Sequence, residues 1–185
     1  MPHVQTGVPI VTARHVANGR INFQNVDFTL TAAYSELSDK DRPQLGDILI
    51  TKDGAIGRAA VVETDTPFCI NQSVAIVWLR SLTADPRYLL LVIESPGTQK
   101  HIRDRARGVA IQHLSITDFA KMPVPLPPLA EQRRIVSDAD KCISFVEELE
   151  LETERLVSRA AALRAATLTS AFEPSLDRIV RVVAN

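Results

Sequence analysis

The sequence predicts an α+β chain: a β-rich domain with short helices, followed by one long coiled-coil-forming helix. Short runs of β-branched residues, punctuated by Gly, Asn and Pro, fill residues 1–122. A proline cluster, Pro123-Val-Pro-Leu-Pro-Pro128, then interrupts the chain. After it, from Glu131 to Glu173, a 3.5-residue apolar period runs with no Gly or Pro. The expected organisation is a domain over 1–122, a strap over 123–130, a helix over 131–173 and a tail over 174–185.

At 185 residues, 45% hydrophobic and 23% charged, the chain has enough apolar material to bury a core. Its 21 basic and 22 acidic residues leave a net charge of −1, so contact with nucleic acid has to come from a local patch. Cys69 and Cys142 stand far apart, with no metal-ligand pairing. This fits neither a disulfide framework nor a zinc knuckle and suits a reducing cytoplasm. No basic leader precedes an apolar run, and no window approaches ~18 apolar residues, so a cytoplasmic chain without a membrane span is expected.

Val8-Pro-Ile-Val-Thr12 and Arg20-Ile-Asn-Phe23 are candidate strands around the turn Asn18-Gly19. The strongest local signal is Gly46-Asp-Ile-Leu-Ile-Thr51 and Arg58-Ala-Ala-Val-Val62, two apolar runs flanking Lys52-Asp-Gly-Ala-Ile-Gly57. Gly54 and Gly57 let the backbone reverse there. Cys69 to Leu79 is apolar enough to form a central strand. Asp85 caps a helix with Pro86 at its first position, and Leu89, Leu90, Val92 and Ile93 form the apolar face. Ser95-Pro96 restarts the helical pattern, with Gly108 as its C′ glycine. Ser115-Ile-Thr-Asp118 then opens a short helix that Pro123 ends.

The prolines from Pro123 to Pro128 lack amide hydrogens and disfavour helix in the residues before them, which predicts an extended strap. Beyond it, Ile135, Ala139, Cys142, Val146, Leu149, Thr153, Leu156, Ala160, Leu163 and Thr167 alternate four-three as an a/d seam, interrupted only by the two threonines. From Ile135 to Ala171 the rise is roughly 55 Å at ~1.5 Å per residue. A narrow stripe of that length calls for a partner helix; the alternative is a helix packed along its own domain. Ala139, Cys142, Ala160 and Thr167 permit close approach.

Phosphate-loop, dinucleotide and serine-hydrolase motifs are absent, and so are the Asn/Asp-Pro-Pro-aromatic tetrapeptide of amino-methyltransferases and the acidic-x-Lys cluster of metal-dependent nucleases. His3, His15, His101 and His113 show no metal spacing. No cofactor or metal is expected. The basic features are more informative. Lys52 and Arg58 bracket the Gly54/Gly57 loop, a place for a phosphate. Lys100, Arg103 and Arg107 fall on one helical stripe with Arg105 beside it, and Gln112 and His113 follow in a loop where they can read base edges. The bland alternatives are an ordinary hairpin and a solvated helix face.

Gly46-Asp-Ile-Leu-Ile-Thr-Lys-Asp-Gly-Ala-Ile-Gly-Arg58 resembles the "GDIL-T-x-x-G-x-x-G-R" hairpin of the DNA-specificity subunits of type I restriction–modification systems. Val124-Pro-Leu-Pro-Pro-Leu-Ala-Glu-Gln-Arg-Arg-Ile-Val136 is similar to that family's "PLPPLxEQxxIV" junction and is the more specific of the two. Arg107 to Ser115 resembles its glycine-led loop before an "LS" turn. Thr169-Ser-Ala-Phe172 resembles the helix-ending "aF", although Glu173-Pro174 stands where a glycine is common. The resemblance covers about residues 7 to 173.

The resemblance implies a target recognition domain followed by a spacer helix. The usual full subunit holds two such units with antiparallel helices, reads the halves of a split DNA sequence, has no catalytic activity, and docks methyltransferase subunits that a restriction subunit joins. One unit alone implies a homodimer through antiparallel spacer helices and a palindromic split target. The family's domain generally begins well ahead of the segment matched by Gly7-Val-Pro-Ile10, so part of the recognition surface is expected to be missing. The implied contacts to double-stranded DNA are Lys52, Gly54, Gly57 and Arg58 toward the backbone, and Lys100, Arg103, Arg105, Arg107, Gln112 and His113 toward the groove. The implied helix interface is Ile135, Ala139, Cys142, Val146, Leu149, Leu156, Ala160 and Leu163. A second reading is an interaction protein that binds partner subunits through the helix without reading DNA. A small enzyme with dispersed catalytic residues is the third.

Overall fold

The computed structural model describes residues 2–79, 84–106, 108 and 112–183, with side chains up to residue 171 in the last helix. Two compact units divide the chain, Met1–Val136 and Ser137–Asn185. In the first, β1 (Val8–Val11) pairs with β4 (Asp27–Thr29) antiparallel and with β7 (Cys69–Ile70) parallel. The turn at Asn18-Gly19 joins β2 (Val16–Ala17) to β3 (Arg20–Ile21), and both turn residues have positive φ, 52° and 70°. The partner of β3 is thus β2 rather than the strand at Val8. A short 3-10 turn at Ala13–His15 carries the chain out of β1 before the hairpin begins. A one-turn helix, α1 (Thr31–Ser35), follows β4.

The second sheet has β5 (Ile48–Thr51) at its centre, antiparallel to both β6 (Ala59–Val61) and β8 (Val74–Val77). All of β5 is buried, on both faces. Ile48 and Ile50 face a cluster with Ile93, Ile102 and Leu114, while Leu49 faces the opposite way into Val11, Val16, Phe68, Ile70 and Val74. The alternation follows the two-residue period of a strand and makes β5 the wall between two apolar layers.

Cys69–Leu79, expected as one central strand, is instead two short strands in different sheets, and β8 lies at an edge. The break has a side-chain cause. Asn71 Oδ1 accepts from the Ser73 amide at 3.1 Å and from its hydroxyl at 2.6 Å, and Ser73 Oγ accepts from the Ala13 amide at 3.0 Å. An Asx-type turn of this sort offers the backbone partners that a continuous ladder would otherwise supply.

Asp85 caps α2 (Pro86–Glu94), accepting from the amides of Arg87 and Tyr88 at 2.9 and 3.3 Å. Ser95 caps α3 (Pro96–Arg105), and Ser115 caps α4 (Ile116–Phe119). Gly108 is not the C′ residue of α3, because Ala106 already has extended backbone with ψ 138° and ends the helix at Arg105.

The strap and the start of α5 (Leu129–Val183) are tied to the domain by two side chains. Tyr88 Oη donates to the Pro125 carbonyl at 2.8 Å. Gln132 is fully buried; its Nε2 donates to the Pro127 carbonyl at 2.7 Å, and its Oε1 accepts from the Asp85 amide at 2.8 Å. Prolines have no amide to offer, so carbonyl acceptance is how such a strap is held. The helix runs past Pro174 to Val183, where a separate tail was expected. A helix-interior proline removes one amide bond and crowds the preceding turn, yet the residues beyond it keep helical backbone.

In the second unit every residue from 141 to 171 is exposed. The seam residues Val146, Leu149, Leu156 and Leu163 are 50–61% exposed, with Ile143, Phe145, Val157 and Leu168 beside them. Cys142 is exposed and Cys69 buried, and no disulfide joins them. No described helix is long and apolar enough to cross a membrane.

Candidate nucleic-acid interface

The two basic segments singled out in the sequence meet in the fold. The loop after β5 is shaped by Thr51, whose hydroxyl donates to the Ala55 carbonyl and accepts from the Arg58 amide at 3.0 Å. Gly57 is buried with φ 78°, and its amide donates to the Thr51 carbonyl at 2.8 Å. A Cβ there would sit 3.0 Å from Ile102 Cγ2, and Gln99 Nε2 donates to the Gly57 carbonyl at 2.9 Å. Glycine therefore lets α3 pack directly on the loop, which sets Arg58 beside one contact residue and Arg103 beside the other.

A second junction joins the same loop to residues 112–114. The Gly54 amide donates to the Gln112 carbonyl at 3.0 Å, the Leu114 amide to the Lys52 carbonyl at 2.7 Å, and Asp53 bridges to His113. Asp53 Oδ1 lies 2.5 Å from His113 Nδ1, and Oδ2 lies 3.0 Å from Lys52 Nζ. Partial burial opposes ionisation of Asp53, but the bonds from His113 and Lys52 outweigh it and hold the carboxyl below its usual range.

These contacts sort the expected DNA-contacting residues. The amides of Gly54 and Gly57 are engaged inside the fold, so the two glycines shape the loop and do not themselves offer amides to a phosphate. Lys52 is 22% exposed and ion-paired with Asp53. Lys100 pairs with Asp104 at 2.6 Å, holding that carboxyl below its usual range, and Arg105 Nη1 lies 3.0 Å from His101 Nδ1. Arg58 and Arg103 are exposed and form no ion pair among the described residues. Gln112 and His113 are exposed as well. Arg107 lies outside the described residues.

Arg58 also lines an open cleft of 350 Å³ with Asn18, Glu94 and Gln99. Burial pushes the Glu94 carboxyl up, against an opposing bond from the Gly19 amide. Sequence reasoning passed over Asp53 and Gln132. Both stand inside the quoted motifs, but one carboxylate between a lysine and a glycine, or one glutamine on a helix, has no periodicity to mark it. No cluster able to hold a metal ion occurs among the described residues.

The first unit is thus a domain of three small sheets with exposed basic side chains on its loops, and the second a helix with an exposed apolar stripe. A model of the type I restriction modification DNA specificity domain matches residues 4–155, and the chain belongs to this family. It is 23% identical over 173 residues to the type I restriction enzyme EcoBI specificity subunit of Escherichia coli, a match covering 94% of this chain and 36% of that protein. To the putative type I restriction enzyme specificity subunit S.HindORF215P of Haemophilus influenzae it is 34% identical over 103 residues, covering 54% of this chain and 24% of that one. The chain thus aligns with little more than a third of these relatives at most. The solved HsdS subunit from Thermoanaerobacter tengcongensis shares the fold, with a TM-score of 0.62 and 20% identity over 78% of this chain and 37% of that chain.

Proposed function

We propose that the chain is a non-catalytic DNA-reading unit of a type I restriction–modification system, acting as a homodimer. Its domain binds one half of a split duplex sequence, and its helix pairs antiparallel with that of a second copy. Methyltransferase subunits then dock on the pair, and a restriction subunit joins them. The observation carrying this reading is the convergence of the loop at 52–58, α3 and residues 112–114, with Arg58, Arg103, Gln112 and His113 exposed. Exposed cations there position a duplex by its phosphates, while amide and imidazole groups reach base edges. Lys52, Lys100 and Arg105 serve as secondary contacts that exchange a protein partner for a phosphate.

The helix supports the dimer. Its seam leucines are more than half exposed, and the seam threonines satisfy their own hydroxyls, Thr153 toward the Leu149 carbonyl at 2.8 Å and Thr167 toward the Leu163 carbonyl at 2.9 Å. They therefore sit in an apolar seam without a stranded donor. The same stripe favours the second reading, a chain that engages partner subunits without reading DNA. Co-expression with the methyltransferase subunit of its own operon, followed by mapping of adenine methylation, separates the two. A new split palindromic methylated site is expected. Stable co-purification with no new methylation would refute DNA reading and favour the second view. Loss of duplex affinity in Arg58→Ala and Arg103→Ala is the residue-level expectation.

A further inference from the structure

We infer that Asp53 is a positioning residue for sequence reading: it fixes the His113 ring so that Nε2 is presented outward to a base edge at one set position. The inference rests on the DNA-reading function proposed above and specifies how one contact of that site works.

The main chain of His113 is registered against the loop on both sides. Gln112 accepts from the Gly54 amide and Leu114 donates to Lys52, while the Leu114 side chain is 2% exposed in the core. The His113 side chain is 53% exposed, so a rigid backbone carries a ring that faces solvent. A carboxylate only accepts, so the nitrogen against Asp53 Oδ1 carries the proton and Nδ1 points inward. Nε2 has no partner among the described residues. Carboxylate–imidazole contacts are a general means of fixing ring tautomer and orientation.

Lys52 completes the arrangement. Its ammonium lies 3.0 Å from Asp53 Oδ2 and compensates the charge that an acid would otherwise present to phosphates. Asp53 itself is held through its backbone, since the amides of Lys52 and Asp53 point at the Ser73 carbonyl at 2.9 and 3.4 Å.

Fixing the ring matters because of what the major groove offers. Every base pair carries one exocyclic amine there, displayed at a different place. A swinging acceptor finds an amine on any pair, whereas an acceptor held at one point finds it on some and not others. Discrimination therefore requires Asp53 as well as His113.

The test uses the full chain against a randomised duplex pool, comparing the parent with Asp53→Asn, Asp53→Glu, His113→Ala and the Asp53→Asn/His113→Ala double variant, with thermal unfolding and affinity for a non-specific duplex measured alongside. The parent is expected to enrich a sequence. D53N and H113A should each lose about fivefold preference at the same base pair, with the preference at the other positions retained. The double variant should lose no more than H113A alone, and D53E should keep the preference. D53N retaining the preference, or losing it at a different pair from H113A, overturns the inference. Equal loss at all positions together with a lower melting temperature assigns Asp53 a merely structural role and also overturns it. If D53N does not fold, H113A and D53E decide: preference kept in H113A, or lost in a folded D53E, overturns it. A parent that enriches no sequence refutes DNA reading itself, and the inference falls with it.

Discussion

Gln132 is a fully buried amide side chain joining the strap, the Asp85 cap and the first turn of α5, so its replacement has a calculable cost. In Gln132→Leu the side-chain volume is nearly kept, but the Asp85 amide and the Pro127 carbonyl are left facing an apolar group. A stranded buried donor or acceptor costs about 1–3 kcal/mol, so the pair costs about 2–6 kcal/mol, less roughly 1 kcal/mol regained by burying the new methyls. With a urea slope of about 2 kcal/mol per molar, the unfolding midpoint should fall by about 0.5–2.5 M. Trp78, the single tryptophan, lies in the same unit and supplies the fluorescence signal. Gln132→Glu sharpens the reasoning. At neutral pH its carboxylate still accepts from Asp85 but repels the Pro127 carbonyl; once protonated, it donates there as the amide does. Its folded-state pKa is therefore raised, and the deficit should shrink as pH falls toward about 5. A midpoint in Q132L within about 0.2 M of the parent, or a pH-independent deficit in Q132E, would refute the clamp.

Three further outcomes are expected. Gly57→Ala forces a Cβ onto a backbone at φ 78° and within 3.0 Å of Ile102, and should destabilise by about 1–3 kcal/mol, read as a lower melting temperature. His15 is buried beside Arg14 and takes the Thr12 amide on Nδ1 at 3.0 Å; burial first, and the Arg14 charge second, hold its pKa below the usual value. Its contribution is complete above about pH 6.5 and is lost as pH drops toward the folded pKa, so the urea midpoint should fall between about pH 7 and pH 5 and fall less in His15→Gln. Leu149→Glu and Leu156→Glu, at positions 51% and 57% exposed, should convert a dimer to monomer in light scattering while leaving the unfolding of the first unit unchanged.

Local physics determined most of what was legible in the sequence. The β5–β6 hairpin, the caps at Asp85, Ser95 and Ser115 and the presence of a long C-terminal helix each depend on neighbours a few residues away, although that helix runs on past Pro174. Cys69–Leu79 shows where that reasoning stops. Composition marks it as strand, but whether Asn71 and Ser73 turn the chain depends on Ala13, sixty residues away, which completes the bond network. Gly108 shows the same limit at a helix end, because a glycine suited to the C′ position does not decide where the backbone leaves the helix.

The candidate interface divides along the same line. Residue type and spacing marked Arg58, Arg103, Gln112 and His113, since exposed cations and amides carry their chemistry in any context. Only the tertiary structure decided that Gly57 lets α3 rest on the loop and that Asp53 reaches His113. The physical reason is range. A cap, a turn or an apolar period is set by atoms that the chain itself keeps adjacent. An ion pair between residues 53 and 113 exists only because main-chain bonds from the 52–54 loop to residues 112–114 and a buried Leu114 bring distant segments within hydrogen-bond reach.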